Sequence, residues 1–430
     1  MNSARLVALD ALVRIEDGAY AHVVLPAMLR DTRLGDRDRA FVTDLVYSTV
    51  RMQRRLDDLI ARASSRRLKR LDPPVRATLR LGAYQLLDGV PPHAAVGETV
   101  EALAARSPRA RGFANGVLRA IARMGPPWPE PDDLAVRLSY PDWLVERLVD
   151  EMGGDAAREA LAAMNEPAAV TLRVNPRRTT AAEVGVDLAR AGLHVEPGRL
   201  VPDALVVRGT GDPARVAPVR HGLVTPQDQG SQAVVALLDP QPGDRVADVA
   251  AAPGGKATGM GEVVGDGGLV AAFDVDAGRT RLVAEAADRL GLPHVHAVVA
   301  DGRALPSPTG AFDRVLLDAP CSGIGVLRRR ADARWRLRPE VIDELAALQR
   351  ALLRAAGALV RPGGVLVYSV CTLTRAETID VDEWAGRALP EFEAMDALRS
   401  PWVPHGRGAL LLPQAAGTDG MFALALRRRA

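Results

Sequence analysis

The sequence predicts a multidomain chain: an all-α N-terminal domain over residues 1–125, a linker helix with a small α+β module over 126–225, and a Rossmann-like α/β domain over 226–430. Three observations carry this. Apolar residues recur at helical spacing through the first part. A proline-rich run, Gly125-Pro126-Pro127-Trp128-Pro129-Glu130-Pro131, then interrupts the chain. From about Thr225 short apolar strands alternate with helices, the rhythm of a mostly parallel, doubly wound sheet.

In the first domain Leu6, Leu9 and Val13, then Val24, Leu25, Met28 and Leu29, then Phe41, Leu45 and Val46, then Leu56, Leu59 and Ile60 hold a helical stripe. Leu79, Leu81, Leu86, Leu87, Phe113, Val117, Leu118 and Ile121 continue it, for about seven helices in all. Beyond the prolines, Tyr140–Leu148 opens an amphipathic helix. Strand-like Val170–Pro176 and Ala204–Val207 flank a helix-like Thr180–Ala191, giving the small module a β-α-β order. In the last domain the predicted strands are Arg245–Val249, Leu269–Val275, Val295–Ala300, Arg314–Leu317 and Val365–Val370, with helices at Ala277–Leu290 and Pro339–Val360.

Composition is that of an ordinary globular protein: 48% hydrophobic and 25% charged residues. The N-terminus shows no signal-peptide core, and no run of about 18 uncharged apolar residues occurs. A cytoplasmic, reduced protein without a membrane partner is expected. Residues 1–125 carry 21 Lys+Arg against 13 Asp+Glu, a balance of +8; the remainder carries 34 against 40, or −6. A basic module on a mildly acidic one suits a polyanionic partner, although a solvated helical surface explains the charge equally well. Arg66-Arg67-Leu68-Lys69-Arg70 could meet phosphate or be an exposed helix end.

Only two cysteines occur, Cys321 and Cys371, and each follows a strand-like apolar run. Ligands of open α/β sheets bind beyond the carboxyl ends of strands, so both thiols are expected at the mouth of one site. A disulfide is disfavoured in a chain without a secretory signal. Asp248-Val249-Ala250-Ala251-Ala252-Pro253-Gly254-Gly255-Lys256 links the first strand to the next helix. Its glycines let backbone approach a ligand, and the helix N-terminus offers N–H groups. Asp274, 20 residues after Gly254, ends the second strand, where a carboxylate accepts from ribose hydroxyls; Asp301 ends the third and could face an adenine amino group. Either could equally cap a turn. The loop is neither G-x-G-x-x-G nor G-x-x-x-x-G-K-[ST], which argues against NAD and ATP. A smaller adenosyl ligand with a zwitterionic arm, S-adenosylmethionine, fits the loop Ala250–Lys256 with Asp274, Asp301 and Asp318. No metal site is expected.

In order along the chain, Ala251-Ala252-Pro253-Gly254-Gly255-Lys256, Asp318-Ala319-Pro320-Cys321-Ser322-Gly323 and Tyr368-Ser369-Val370-Cys371-Thr372 resemble the RNA cytosine-C5 methyltransferases. Pro226-Gln227-Asp228-Gln229, Leu411-Leu412-Pro413 and Gly417–Phe422 fit the same family. Ala4–Leu9, Asp38–Tyr47 and Gly112–Leu118 resemble the NusB RNA-binding domain. Together they are most similar to the RsmB (Sun/Fmu) family, which modifies 16S rRNA; residues 126–225 would then be its small RRM-like module. The resemblance implies an enzyme acting on RNA, 16S rRNA or a small-subunit precursor, and not on DNA; a monomer is expected. Four segments depart from the family: Ala250 stands where cysteine is usual, Ala257 where threonine is, Glu377-Thr378 where Glu-Asn is, and Arg330–Trp335 where His-Pro-Asp-Ile-Lys-Trp is typical.

Cytosine C5 is a poor nucleophile until a nucleophile adds at C6, and a thiolate is suited to that addition. Asp318, three residues before Cys321, could share a proton with N3 if a dry pocket kept it protonated; otherwise it caps a turn. Residue spacing does not decide which cysteine attacks. A likeness to DNA cytosine-C5 methyltransferases would choose Cys321; the RNA family implies Cys371, with Cys321 helping product release. Lys256 could fix the catalytic carboxylates or the base, or pair with Asp248. The run Arg328, Arg329, Arg330, Arg334, Arg336 and Arg338, with Trp335 for stacking, suggests an RNA contact. The target base must be unpaired or flipped. Rival readings are a methyltransferase of another RNA such as tRNA, a nicotinamide dehydrogenase, and a non-catalytic NusB-type scaffold.

Overall fold

The computed structural model describes residues 3–208, 213, 216–396 and 399–430. The chain forms two compact units, Met1–Ala157 with Arg329–Leu337, and Arg158–Arg328 with Arg338–Ala430.

The first unit is helical: α1 (Ala4–Glu16), α2 (Ala21–Arg30), α3 (Asp36–Arg51), α4 (Gln53–Ala63), α5 (Pro73–Leu87), α6 (Pro92–Ala104), α7 (Arg111–Met124), α8 (Leu134–Leu138) and α9 (Asp142–Met152). The predicted stripe is its core, with Leu9, Leu45, Leu56, Ile60, Leu79, Leu81 and Leu118 fully buried or nearly so. Gly82 of α5 permits close packing on α7, because a Cβ there would lie 2.6 Å from Leu118 Cδ1. Arg66, Arg67, Lys69 and Arg70 are exposed, and Arg66 stacks on Phe113 at 4.8 Å.

The short helical turn Ala331–Trp335 belongs to this unit, and the expectation of an RNA-facing basic run is corrected for Arg334 and Trp335, which are turned into the protein. Arg334 is wholly buried, stacks on Tyr140 at 4.0 Å, and donates to the carbonyls of Ser139 and Arg51. Trp335 Nε1 donates to Val50 O at 2.8 Å rather than standing ready for a base. Arg336 lies 4.3 Å over Tyr20. The physical reason is that guanidinium groups supply donors to carbonyls at helix ends while stacking on aromatic faces. Arg328, in the second unit, is likewise buried against the carbonyls of Gly417 and Thr418, whereas Arg330 and Arg338 are exposed.

The chain passes into the second unit within α10 (Gly154–Ala163). A small module follows: β1 (Val170–Val174), α11 (Ala181–Arg190), β2 (His194–Pro197), β3 (Leu205–Arg208), α12 (Ala217–Arg220) and β4 (Val224–Pro226). Its antiparallel sheet runs β2-β3-β1-β4, so the expected β-α-β is half of a β-α-β-β-α-β ferredoxin-like unit. The second half escaped notice because β2 is largely exposed and polar, and β4 has three residues.

The large sheet is built from α13 (Gln229–Leu238), β5 (Arg245–Asp248), α14 (Gly255–Val264), β6 (Leu269–Asp274), α15 (Ala277–Leu290), β7 (Val295–Val299), β8 (Phe312–Asp318), α16 (Pro339–Leu359), β9 (Val360–Val370), α17 (Ile379–Ala388), β10 (Phe392–Ala394), β11 (Val403–His405), β12 (Gly408–Leu411), α18 (Pro413–Ala416) and β13 (Met421–Arg428). Strands β9-β8-β5-β6-β7 are parallel, and β13 adds antiparallel to β9, with β12 and β11 outside it. Strand order reverses between β5 and β8, and such a switch point leaves a crevice at the carboxyl ends of the strands. Among the described residues no helix is long and apolar enough to cross a membrane.

Candidate active site

The Gly-rich loop leaves β5 at Asp248 and enters α14 at Gly255. Val249 N donates to Leu316 O and Ala251 N to Phe273 O, which stitches the loop to both neighbouring strands. Gly254 turns with φ +103°, and a Cβ there would meet Val283 Cα at 3.0 Å, so the turn requires glycine. Arg173, on β1, braces the start of α14. It forms a two-pronged pair with Glu262 at 2.9 Å, donates to Thr258 Oγ1 at 2.9 Å, and reaches the carbonyl of Gly255. Sequence reasoning missed this arginine, since one charged residue in an apolar strand has no periodic signature.

The strand-end carboxylates lie as expected in sequence but differ in surroundings. Asp274 is 4% exposed; its oxygens accept from Ala252 N at 3.2 Å and Asp276 N at 3.1 Å. Asp301, beyond β7, is gripped by its own neighbour Arg303 through both oxygens, which holds its carboxyl down at about 2. Asp248 was offered by the sequence only as a partner for Lys256. It is 1% exposed, and among the described residues neither oxygen has a hydrogen-bond partner of good geometry, although the Ala250 N–H leans toward it. Burial first, then the charge of Asp318, pushes its carboxyl up to about 7, while Lys256 opposes the shift.

Lys256 and Asp318 face each other across the β5/β8 switch point, with Nζ 2.6 Å from Oδ2. Of the two carboxylates the sequence offered it, the lysine therefore pairs with Asp318. Ser369 Oγ donates to the other Asp318 oxygen at 2.7 Å, and Ser231 Oγ lies 3.4 Å from Nζ. Burial alone would lower the lysine; the adjacent charges of Asp318, Cys371 and Asp248 overcome it and leave the ammonium raised.

Cys371 stands directly after β9, while β8 ends at Asp318, three residues short of Cys321. The loop between brings the two sulfurs to 3.3 Å, and both are unbridged thiols. The hydrogen bond with Cys371, and then burial, push the Cys321 thiol well above its ordinary value, with Glu377 and Asp318 adding to the shift. The four catalytic candidates, Cys371, Cys321, Asp318 and Lys256, thus meet at one crevice, next to the loop Ala250–Lys256. Of the departures from the family, Ala257 fills the core and Thr378 is fully buried, its Oγ1 donating to Thr374 O at 2.8 Å.

Comparison with known proteins finds matches along nearly the whole chain. Residues 235–427 match the family described as 16S rRNA methyltransferase RsmB/F, residues 2–123 the NusB family, and residues 140–212 the ferredoxin-like domain of RsmF/B-like methyltransferases. A probable ribosomal RNA small subunit methyltransferase B of Bacillus subtilis is 36% identical, over 99% of this chain and 99% of its own length. A putative methyltransferase of Mycobacterium tuberculosis is 40% identical over 100% of this chain and 97% of its own. The crystal structure of PH0851 superposes with a TM-score of 0.84 at 27% identity, covering 100% of this chain and 99% of that one.

Proposed function

The chain belongs to the RsmB/F family of 16S rRNA methyltransferases, and on that footing we propose that it methylates C5 of a cytosine in 16S rRNA through a covalent bond between Cys371 and C6. The observation that carries this reading is the meeting of two thiols, 3.3 Å apart, with the Lys256–Asp318 pair at the sheet's switch point.

The residues present fit S-adenosylmethionine, which when bound supplies an electrophilic methyl group. Asp248 offers two buried oxygens that, among the described residues, have no hydrogen-bond partner of good geometry, a match for the ligand's ammonium. Asp274 keeps acceptor capacity for ribose hydroxyls at the end of β6, and Gly254 and Gly255 let the chain pass close to the ligand. Asp301 serves the adenine end only if Arg303 yields it.

With the cytosine turned out of its stack, the Cys371 sulfur adds to C6 while N3 takes a proton, and the electron density reaches C5. The thiolate is the nucleophilic form. Cys371 is assigned as the attacker on the likeness to the RNA cytosine-C5 methyltransferases, and Cys321, whose thiol its hydrogen bond to Cys371 and burial push up, stands beside it as a donor. Lys256 keeps Asp318 in place and offsets charge gathered beside Cys371; the proton that N3 takes comes from the Lys256 ammonium and passes through Asp318. Once C5 carries the methyl group it loses its proton to solvent. The N3 proton then returns to Asp318, the C5–C6 double bond reforms, and the C6–S pair leaves with Cys371. Cys321 assists that departure by hydrogen bonding to the leaving sulfur.

The test is transfer of labelled methyl from S-adenosylmethionine to a mixture of unmodified 16S rRNA and tRNA, followed by separation of the two RNAs and nucleoside analysis. 5-Methylcytidine in the rRNA supports the proposal. Label found only in tRNA, or in another nucleoside, overturns it.

A further inference from the structure

Both cysteine loops hang on one buried carboxylate. Glu377, six residues past Cys371, is 0% exposed. Its oxygens accept from Ser322 N at 2.8 Å, Thr372 Oγ1 at 3.1 Å, Thr374 Oγ1 at 2.9 Å and Gln349 Nε2 at 3.0 Å, and also from Ser322 Oγ. Ser322 directly follows Cys321 and Thr372 directly follows Cys371, and their hydroxyls also meet at 2.8 Å. Gln349 extends the cluster to the other side of Cys321 by donating to Pro320 O at 2.9 Å. Tyr368 OH locks the base of the cluster, 3.0 Å from Gln349 Oε1 and 2.8 Å from the Glu377 carbonyl.

A carboxylate has room for about four acceptor contacts, so donors from four side chains and one backbone group fill it completely. All of these donors are neutral and none comes from the Lys256–Asp318 pair. The substituents that fix each cysteine's backbone therefore converge on Glu377 from two different strand ends. A hydrogen-bonded network of this kind, fully satisfied and dry, is stiff.

We propose that Glu377 is a positioning residue that holds the two thiols at contact distance, so that Cys321 can hydrogen-bond the sulfur of Cys371 as it leaves the methylated base. This rests on the covalent reading above. It places Glu377 in product release rather than in addition to C6 or in cofactor binding. In the release step the N3 proton returns to Asp318, the C5–C6 double bond reforms, and the C6–S bond breaks with its electron pair on Cys371. Glu377 takes part in none of these transfers. The negative charge it places near Cys321 also helps keep that thiol protonated, the state in which it can donate.

The experiment has two arms on the full-length protein. The first needs neither RNA nor cofactor: a trivalent arsenical, phenylarsine oxide, binds tightly only where two sulfurs can reach one arsenic. Glu377→Gln keeps the shape but turns one acceptor into a donor facing other donors, and is expected to weaken the arsenical about tenfold. The second arm measures the covalent enzyme–RNA adduct at steady state on unmodified 16S rRNA. Glu377→Gln and Cys321→Ala each raise the adduct fraction, and the double variant raises it no further than Cys321→Ala alone. If Glu377→Gln does not fold, as judged by circular dichroism, the pair Ser322→Ala and Thr372→Val removes two donors and is expected to shift both readouts in the same direction. Unchanged arsenical affinity, or effects of Glu377→Gln and Cys321→Ala that simply add, would overturn the proposal. A wild-type enzyme that makes no adduct would instead defeat the covalent reading, and the arsenical arm would still decide the positioning role.

Discussion

Replacing Asp248 with asparagine will stabilise the ligand-free protein at neutral pH while weakening its hold on S-adenosylmethionine. The carboxyl is pushed up to about 7 from an ordinary 3.8, chiefly by burial. Between those two values the folded state keeps a proton that the unfolded state has lost. The group's contribution is therefore fully present below about 3.8, fades as pH rises, and is gone above about 7. From pH 5 to pH 7 the loss spans about two pH units at about 1.4 kcal/mol each, or about 3 kcal/mol. Asparagine does not titrate, so its curve lacks that slope. Denaturant titrations at pH 5, 6, 7 and 8 will show the variant gaining on the wild type by about 3 kcal/mol up to pH 7 and no further. The ligand follows the same linkage: an ammonium beside Asp248 favours the ionised carboxylate. Wild-type affinity for S-adenosylmethionine therefore rises with pH toward about 7, and the asparagine variant binds more weakly with a flatter profile. Stability curves that run parallel from pH 5 to pH 8 would refute the reasoning.

Three further outcomes follow from the geometry. Gly254→Ala forces a side chain into φ +103° and against Val283 Cα at 3.0 Å. It is expected to cost about 1–3 kcal/mol in the loop and to appear in calorimetry as weaker S-adenosylmethionine binding with RNA affinity unchanged. Arg334→Met removes a wholly buried guanidinium from Tyr140 and two carbonyls, leaving those acceptors dry. A loss of about 2–3 kcal/mol by denaturant titration is expected, while the salt dependence of RNA binding stays as in the wild type because this arginine touches no phosphate. Among the described residues Lys256→Met leaves Asp318 with Ser369 as its partner, so methyl transfer falls more than cofactor affinity does, as single-turnover kinetics would separate.

Much of the fold was legible because the parallel strands are buried on both faces and read as apolar runs between turn residues. Ala277–Leu290 was bounded to the residue, since Asp276 caps one end and Gly291 turns out of the other. The C-terminal antiparallel strands were not separated: β12 and β13 have almost continuous burial, which gives no alternation to mark them. The site was legible where side chains act at strand ends, as with Lys256, Asp318 and the two cysteines. Residues acting through others were not. Glu377 lies in the polar stretch Thr372–Thr378, and Arg173 and Asp248 take their meaning from neighbours 89 and 70 positions away, Glu262 and Asp318. The arginine run misled for a related reason: charge counts do not distinguish Arg334, capped by carbonyls and an aromatic ring, from Arg330, which is exposed.

Trapping with RNA that carries 5-azacytidine in place of cytidine tests the roles of the two sulfurs most directly. The wild type and Cys321→Ala are expected to form a stable complex that survives denaturing electrophoresis, and Cys371→Ala is expected to form none. A denaturant-stable complex with Cys371→Ala and none with Cys321→Ala would reverse the assignment, and complexes with both variants would contradict it by showing that either sulfur can attack.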